Sequence, residues 1–449
     1  SILWPFLLVP FALTPFFVYM PFIIGLVSAA ASAAVLVRLC PPGMNKAGST
    51  ALSLFGVLLL NLPGLAFIGM EHGLHILLSL LAAYGCLQVI QGGKPPAWLW
   101  LVIFLHPMLR YEGVIVSGAA LAILLRFGYW RQVFTTGALL CLPIAAFTAF
   151  LYLHGLGLVP SSTIVKKLNF SHGLSGYGNF WLLTLMVGVK STGGMAIITA
   201  TFCLLLWCAG TVSHFKKQSW FILLILTGVM AGHILLGRLS TWEAPRYDYY
   251  AIAFMLPLLL RTKATQLRQL LPATLTMLLV GLYALPGVWF STIDQHRAIH
   301  AIYQQQYQMG RLVRDYWHEP IAVNDIGIVG LESDTLTLDM IGLSSNAVRK
   351  ARMSGEADWA NTFIRTRHTP LIMVYRSWFP ASLRGSWIPL GELFRSGYST
   401  LGDPSVLFLT PYPERADEIR TVLDEWAKGL PQGTRYVRYD ANNPAPPLP

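Results

Sequence analysis

Long apolar runs fill the first two thirds of the chain, and shorter, periodic patterns replace them in the last third. A membrane-spanning helix needs about 20 consecutive apolar residues. Runs of this kind predict helices over 14–39, 50–68, 73–91, 96–107, 112–127, 133–154, 192–212, 218–237, 247–261 and 268–289. The segments at 96–107 and 112–127 are short, which fits a tilted pair or a hairpin broken around His106, Pro107 and Arg110. Residues 1–13 are apolar but too short to span, and Pro5 and Pro10 interrupt them, so a helix lying in the membrane interface is expected there.

Beyond residue 290 the pattern changes. A helical period runs over 296–317 through Ile299, Ile302, Tyr303 and Leu312. Strand-like runs follow at 321–323, 336–338, 371–374 and 406–409, separated by helical stretches at 345–353, 357–366 and 414–428. Strands alternating with helices predict a small α/β domain. The end, 442–449, is rich in proline and expected to fray. The fold expected is thus mostly α: a polytopic transmembrane helical bundle over 1–289 and a small soluble α/β domain over 290–449.

Composition sharpens this division. Of 449 residues, 54% are apolar and 12% charged, against roughly 25% charged in an ordinary soluble domain. That excludes a wholly soluble enzyme, a disordered chain and a nucleic-acid binder along the whole length. Of the 21 acidic residues, only Glu71, Glu112, Glu243 and Asp248 precede position 290. The net charge of +11 is then a membrane signal, because Lys and Arg collect on the cytoplasmic side of spanning helices. Alternate loops carry Arg38 and Lys46, Lys94, Arg126 and Arg131, Lys216 and Lys217, and Arg261, Lys263 and Arg268, with no acidic residue among them. These loops are expected in the cytoplasm, and the acidic loops and the tail on the exported side. All five cysteines (Cys40, Cys86, Cys141, Cys203, Cys208) fall in the apolar body, so no disulfide framework is expected in the tail.

Ionisable groups beside a bilayer are costly and mark candidate sites. Here they gather at the acidic ends: Glu71, His72 and His75; His106, Arg110, Tyr111 and Glu112; Lys166 and Lys167 in the loop 155–178; and Arg238, Glu243, Arg246, Tyr247 and Asp248. Carboxylates, cations and aromatic rings at the membrane surface suit a polyprenyl-phosphate sugar, whose phosphate needs Arg or Lys.

The same segments resemble a family. Gly69-Met-Glu-His72, Arg110-Tyr-Glu-Gly113, Tyr152-Leu-His-Gly155 followed by Val159-Pro-Ser-Ser-Thr163 and Lys166, and Arg246-Tyr247 are similar in order and spacing to blocks of GT-C glycosyltransferases, nearest to the cell-wall arabinofuranosyltransferases. Asn324-Asp-Ile-Gly327 and Leu338-Asp-Met-Ile-Gly-Leu343 resemble two further signatures in the tail. Tyr111 stands where the family usually has Pro, and Ser161-Ser162 where it has Asn-Thr. The resemblance implies an inverting membrane glycosyltransferase of a bacterial inner membrane, with its C-terminal domain in the periplasm. The donor would be a polyprenyl-phosphate sugar, with arabinofuranose as the candidate, and the acceptor a cell-envelope glycan or glycoprotein. It also implies an acidic pair ahead of Ser1, so the catalytic base is expected upstream, and 1–449 alone is expected to be inactive; Glu71 and Glu243 are the fallback within this chain. Substrate-binding residues would be Glu71, His72, Arg110, Glu112, Lys166, Glu243, Arg246 and Tyr247, with membrane lipids as partners and no cofactor, metal or nucleic acid.

Plainer readings stand beside these. Glu71, His72 and His75 could share a metal, or Glu71 could bind the amides of a helix start. Arg110 and Glu112 could simply pair. Lys166 and Lys167 could be solvated, and Arg246 with Tyr247 an interfacial anchor. Asp325 and Asp339 sit where turn chemistry favours Asp, and a structural role is expected for both. His233 is expected to be a hydrogen-bonded, buried histidine. A lipid or sugar transporter, or a non-catalytic envelope-assembly protein, is the alternative function.

Overall fold

A computed structural model describes residues 2–40, 43–156, 217–235, 246–261, 294–354, 358–379, 387–397 and 402–446. The helices predicted at 192–212 and 268–289, and residues Lys166, Lys167 and Glu243, lie outside these. The chain divides into two compact units, with a boundary between Ile293 and Asp294; of the described residues before it, 150–156 group with the second.

The first unit is helical. Its helices are α1 (Leu3–Leu8), α2 (Met20–Leu39), α3 (Lys46–Leu59), α4 (Leu62–Ile68), α5 (His72–Ile90), α6 (Ala97–Leu109), α7 (Gly113–Arg126), α8 (Trp130–Leu153), α9 (Lys217–Leu235) and α10 (Tyr249–Arg261). Among the described residues, four apolar runs are long enough to cross a membrane: Phe17–Leu39, Lys46–Ile68, His72–Ile90 and Trp130–Leu153. The helix expected over 50–68 begins four residues earlier and is interrupted: Asn61 adopts a left-handed conformation (φ 49°) ahead of Pro63, which starts α4 afresh. At 13 residues, α6 is ~20 Å long by helical rise, shorter than a bilayer core.

The unit has an apolar outside as well as an apolar core. Phe16, Val18, Val27, Leu54, Phe55, Phe67, Phe134, Leu139 and Leu142 are exposed, while Leu65, Leu80, Leu99, Ile103, Leu226 and Phe254 are fully buried. Such a surface is costly in water and suits lipid. Each span is also polarised by charge. Arg38, Arg126 and Arg261 close α2, α7 and α10, and Lys46, Arg131 and Lys217 open α3, α8 and α9. The acidic residues sit at the opposite ends, Glu71 before α5, Glu112 before α7 and Asp248 before α10.

The second unit holds a six-stranded sheet in the order β2-β1-β3-β5-β4-β6. Its strands are β1 (Ile321–Val323), β2 (Thr337–Asp339), β3 (Leu371–Val374), β4 (Ile388–Arg395), β5 (Ser405–Thr410) and β6 (Thr434–Arg438). β2, β1 and β3 are parallel; β5, β4 and β6 continue the sheet antiparallel. Helices α11 (Gln295–Gln304), α12 (Gln306–Asp315), α13 (Gly327–Glu332), α14 (Asn346–Ser354), α15 (Trp359–Thr366) and α16 (Ala416–Ala427) complete it. Side chains alternate along each strand. Ile321, Val323, Leu371, Met373, Val406 and Phe408 therefore pack with α12 and α16, and Ala322, Ile372, Val374, Leu407 and Leu409 with α14 and α15. Burial on both faces explains why 321–323, 371–374 and 406–409 read as unbroken apolar runs. The sequence pattern misses β4, which carries Pro389, Gly391 and Glu392, and β6, whose TRYVR is polar edge chemistry. The helix expected over 296–317 is two helices meeting at Gln305.

Candidate functional site

The bundle brings separate helix ends to one cluster. Arg110, which ends α6, donates to Glu71 at 2.6 Å and to Glu112 at 3.1 Å. Its side chain is only 10% exposed and the carboxylates are comparably covered. Glu71 stands at the N-cap of α5, yet its carboxylate makes no capping bond to that helix. It is turned to Arg110 instead, so the amide-binding role expected of a helix-start acid is not the one it fills. Its Oε1 is the bonded oxygen, and Oε2 accepts no hydrogen bond from the described residues. The turn that joins α6 to α7 depends on Gly113: a β-carbon there would collide with the ring and the carbonyl oxygen of His106.

Tyr247 lies between two guanidinium groups. Arg110 is 5.5 Å and Arg246 5.1 Å from its ring centroid, and His72 meets it edge-on at 5.4 Å. Arg246 donates to the Tyr247 hydroxyl at 3.2 Å and approaches the Met70 sulfur at 3.8 Å. Glu71, His72, Arg110, Glu112, Arg246 and Tyr247 thus converge, as the sequence reading grouped them. Lys166 and Glu243 were grouped with them and lie outside the described residues.

Beneath this cluster runs a buried polar column. On α5, His72, His75 and Ser79 follow at helical spacing, so they share a face. His75 stacks on Tyr250 at 4.6 Å and lies 4.4 Å from His106, whose Nε2 meets Ser79 Oγ at 2.8 Å. His233 is fully buried between Tyr250 (3.1 Å) and Asp248 (2.5 Å). Asp248, only 1% exposed, meets His233, a contact that its grouping with Arg246 and Tyr247 in the sequence does not foresee. Ser79 and Tyr250 carried no sequence signal beyond their spacing of four from His75 and three from Tyr247. Among the described residues, no group of three or more His, Cys, Asp or Glu is placed to hold a metal ion.

In the second unit, Asp339 accepts from the amides of Ile341, Gly342 and Ser344 and from the Ser344 hydroxyl, at 2.6–3.1 Å. That is the turn role expected of it. Asp325 lies at the end of β1, where its carboxylate faces the Tyr375 hydroxyl across the sheet edge.

Residues 297–417 match the family model described as Domain of unknown function (DUF8728). No curated protein and no solved structure matches the chain. The family match lies within the sheet unit and includes none of the residues of the arginine cluster.

Proposed function

We propose that this protein is an integral-membrane glycosyltransferase of the GT-C type. It would move a sugar, with arabinofuranose as the candidate, from a polyprenyl-phosphate donor to a cell-envelope glycan or glycoprotein on the exported face of a bacterial inner membrane. The observation that carries this reading is the Tyr247 ring between Arg110 and Arg246, beside Glu71 and Glu112. Arg246, whose guanidinium lies against the Tyr247 ring, is the cation assigned to the donor phosphate. Tyr247 and His72 offer ring faces and edges to the sugar.

The chemistry follows from this division. Glu71, the base within this chain where the upstream acidic pair does not supply one, is oriented by Arg110 through Oε1 and presents Oε2 to the acceptor hydroxyl. The hydroxyl oxygen bonds to the anomeric carbon as its proton passes to Glu71. The bond from that carbon to the phosphate oxygen breaks, and the electron pair leaves on polyprenyl phosphate, where Arg246 offsets the charge.

The test uses purified chain in nanodiscs with a radiolabelled polyprenyl-phosphate sugar and an oligosaccharide acceptor. Donor binding lost in Arg246→Ala, and transfer lost with binding kept in Glu71→Gln, are the expected results. No donor binding by the wild-type chain would overturn the reading. The buried column from Ser79 to Asp248 favours one rival, a proton-coupled transporter, and pH-dependent uptake of free sugar by proteoliposomes without transfer would establish it instead.

A further inference from the structure

The sheet of the second unit contains a topological switch. The chain leaves β1 toward β2 on one side, and β3 lies on β1's other side and continues toward the antiparallel strands. In open α/β sheets, ligands bind outside the carboxyl ends of the strands at such a point. Here those ends are Asn324-Asp325 after β1 and Tyr375 after β3, and they are tied together: the Tyr375 amide donates to Asn324 Oδ1 at 2.8 Å.

Asp325 is held from behind. Its Oδ2 receives the Tyr375 hydroxyl at 3.5 Å and the Gln306 amide at 3.4 Å, and Gln306 also donates to the Tyr375 oxygen at 2.6 Å. Its Oδ1 accepts nothing from the described residues, and the residue is half-buried. Two buried amides at this edge also have an unspent atom. Gln306 is 4% exposed with no partner for Oε1, and Asn324 is 6% exposed with none for Nδ2. Turning the Gln306 amide over would only exchange which of its atoms is left over. Buried polar atoms are rarely left without a partner, and several at one strand edge point to a ligand that completes them.

Trp378 stands over the same edge. The residue is 46% exposed, and its ring packs edge-on against Tyr375 at 5.1 Å and rests on Gly402, where a β-carbon would come within 2.6 Å of it. An exposed, braced indole beside an oriented carboxylate and two amides matches the surface of a neutral sugar. The ring face takes the sugar's C–H groups, the carboxylate accepts hydroxyls, and the amides donate and accept. A phosphate ligand fits poorly, because Asp325 bonds the Tyr375 hydroxyl, the nearby Arg395 is offset by Asp403, and Arg376 is already bound to Glu392.

We propose that the carboxyl edge of β1 and β3 is a neutral-glycan binding site, formed by Asp325, Asn324, Gln306, Tyr375 and Trp378. This site lies in the other unit from the arginine cluster, and the proposal does not rest on the transferase reading.

The test is saturation-transfer NMR and calorimetry on the full chain in nanodiscs, with a panel of neutral hexasaccharides: α-1,5-arabinan, β-1,4-xylan and α-1,4-glucan fragments. At least one should bind in the millimolar range or tighter. Asp325→Asn and Trp378→Ala should each weaken it by roughly tenfold or more. Since Asp325→Asn keeps the shape of the side chain, retained hydrogen-exchange protection in β1 and β3 separates lost binding from lost fold. The proposal is overturned if no member of the panel binds, which would leave the edge to ordered water, or if both variants bind like wild type.

Discussion

Arg110 and Glu71, 39 positions apart in the sequence, meet at 2.6 Å, and the same guanidinium holds Glu112 at 3.1 Å. One cation thus serves two covered carboxylates. Removing it takes from both the counter-charge they share, and breaking a buried pair from one side costs about 3–5 kcal/mol. Arg110→Ala should destabilise the first unit by that order in an SDS-titration unfolding experiment. Combining it with Glu71→Gln should give a smaller loss than the sum of the two, because they share one interaction. Additive losses would show that the contact contributes little.

Arg246 is differently placed. Its guanidinium lies against the Tyr247 ring and hydroxyl and approaches the Met70 sulfur. Arg246→Lys keeps the charge and loses the planar fork. Donor affinity in nanodiscs should fall by roughly tenfold for Arg246→Lys and further for Arg246→Ala, each lost charge-assisted contact counting about 1.5–3 kcal/mol. Unchanged affinity in Arg246→Ala would reduce the residue to an interfacial anchor.

The Asp248–His233 contact joins the start of α10 to the last turn of α9. Asp248→Ala leaves a buried imidazole without its acceptor, at a cost of about 1–3 kcal/mol. Hydrogen exchange should rise in α9 and α10 and stay unchanged in α2. A uniform rise across the unit would contradict a local role.

Glu392 is a second buried carboxylate, 1% exposed in β4, and it is fully met: Arg376 binds both oxygens, Ser405 donates to one and Tyr439 to the other. Burial and the bond to this carboxylate push the Tyr439 hydroxyl up to about 12. Glu392→Ala should cost about 3–5 kcal/mol, read as faster exchange in β4, β5 and β6. Protection equal to wild type there would show the network to be dispensable.

Glu319 gives the pH dependence. Two bonds from Arg415, at 2.6 and 2.7 Å, hold its carboxyl below the usual range. A depressed folded value means the stabilisation is complete above the unfolded value of about 4.3 and is lost as pH falls through the lower folded value. The pair is solvent-exposed, so the effect is small and screened by salt. Wild type should lose protection at the start of α16 on acidification, and Arg415→Ala should show no such step. An equal step in both would place the titration elsewhere.

Much of this was legible beforehand because it is local. Apolar run length located the described helices to within a few residues, and four of those runs are long and apolar enough to span a membrane. Short unbroken apolar runs located β1, β3 and β5, where both faces are buried. The grouping of Glu71, His72, Arg110, Glu112, Arg246 and Tyr247 was also readable, because charge at an apolar helix end is conspicuous. β4 and β6 were not, since Glu392 and the polar TRYVR segment obscure the apolar period that identifies a strand.

The sequence by itself determined where helices run, which of their ends carry charge, and that a sheet unit follows the helical one. Only the tertiary structure decided who meets whom. Arg110 meets both Glu71 and Glu112, Asp248 meets His233, and Asn324 reaches Tyr375, 51 positions away. The reason is range. Hydropathy and helical period act over a few residues and survive in any packing, whereas a hydrogen-bond partner is chosen by which helix or strand packing brings within about 3 Å.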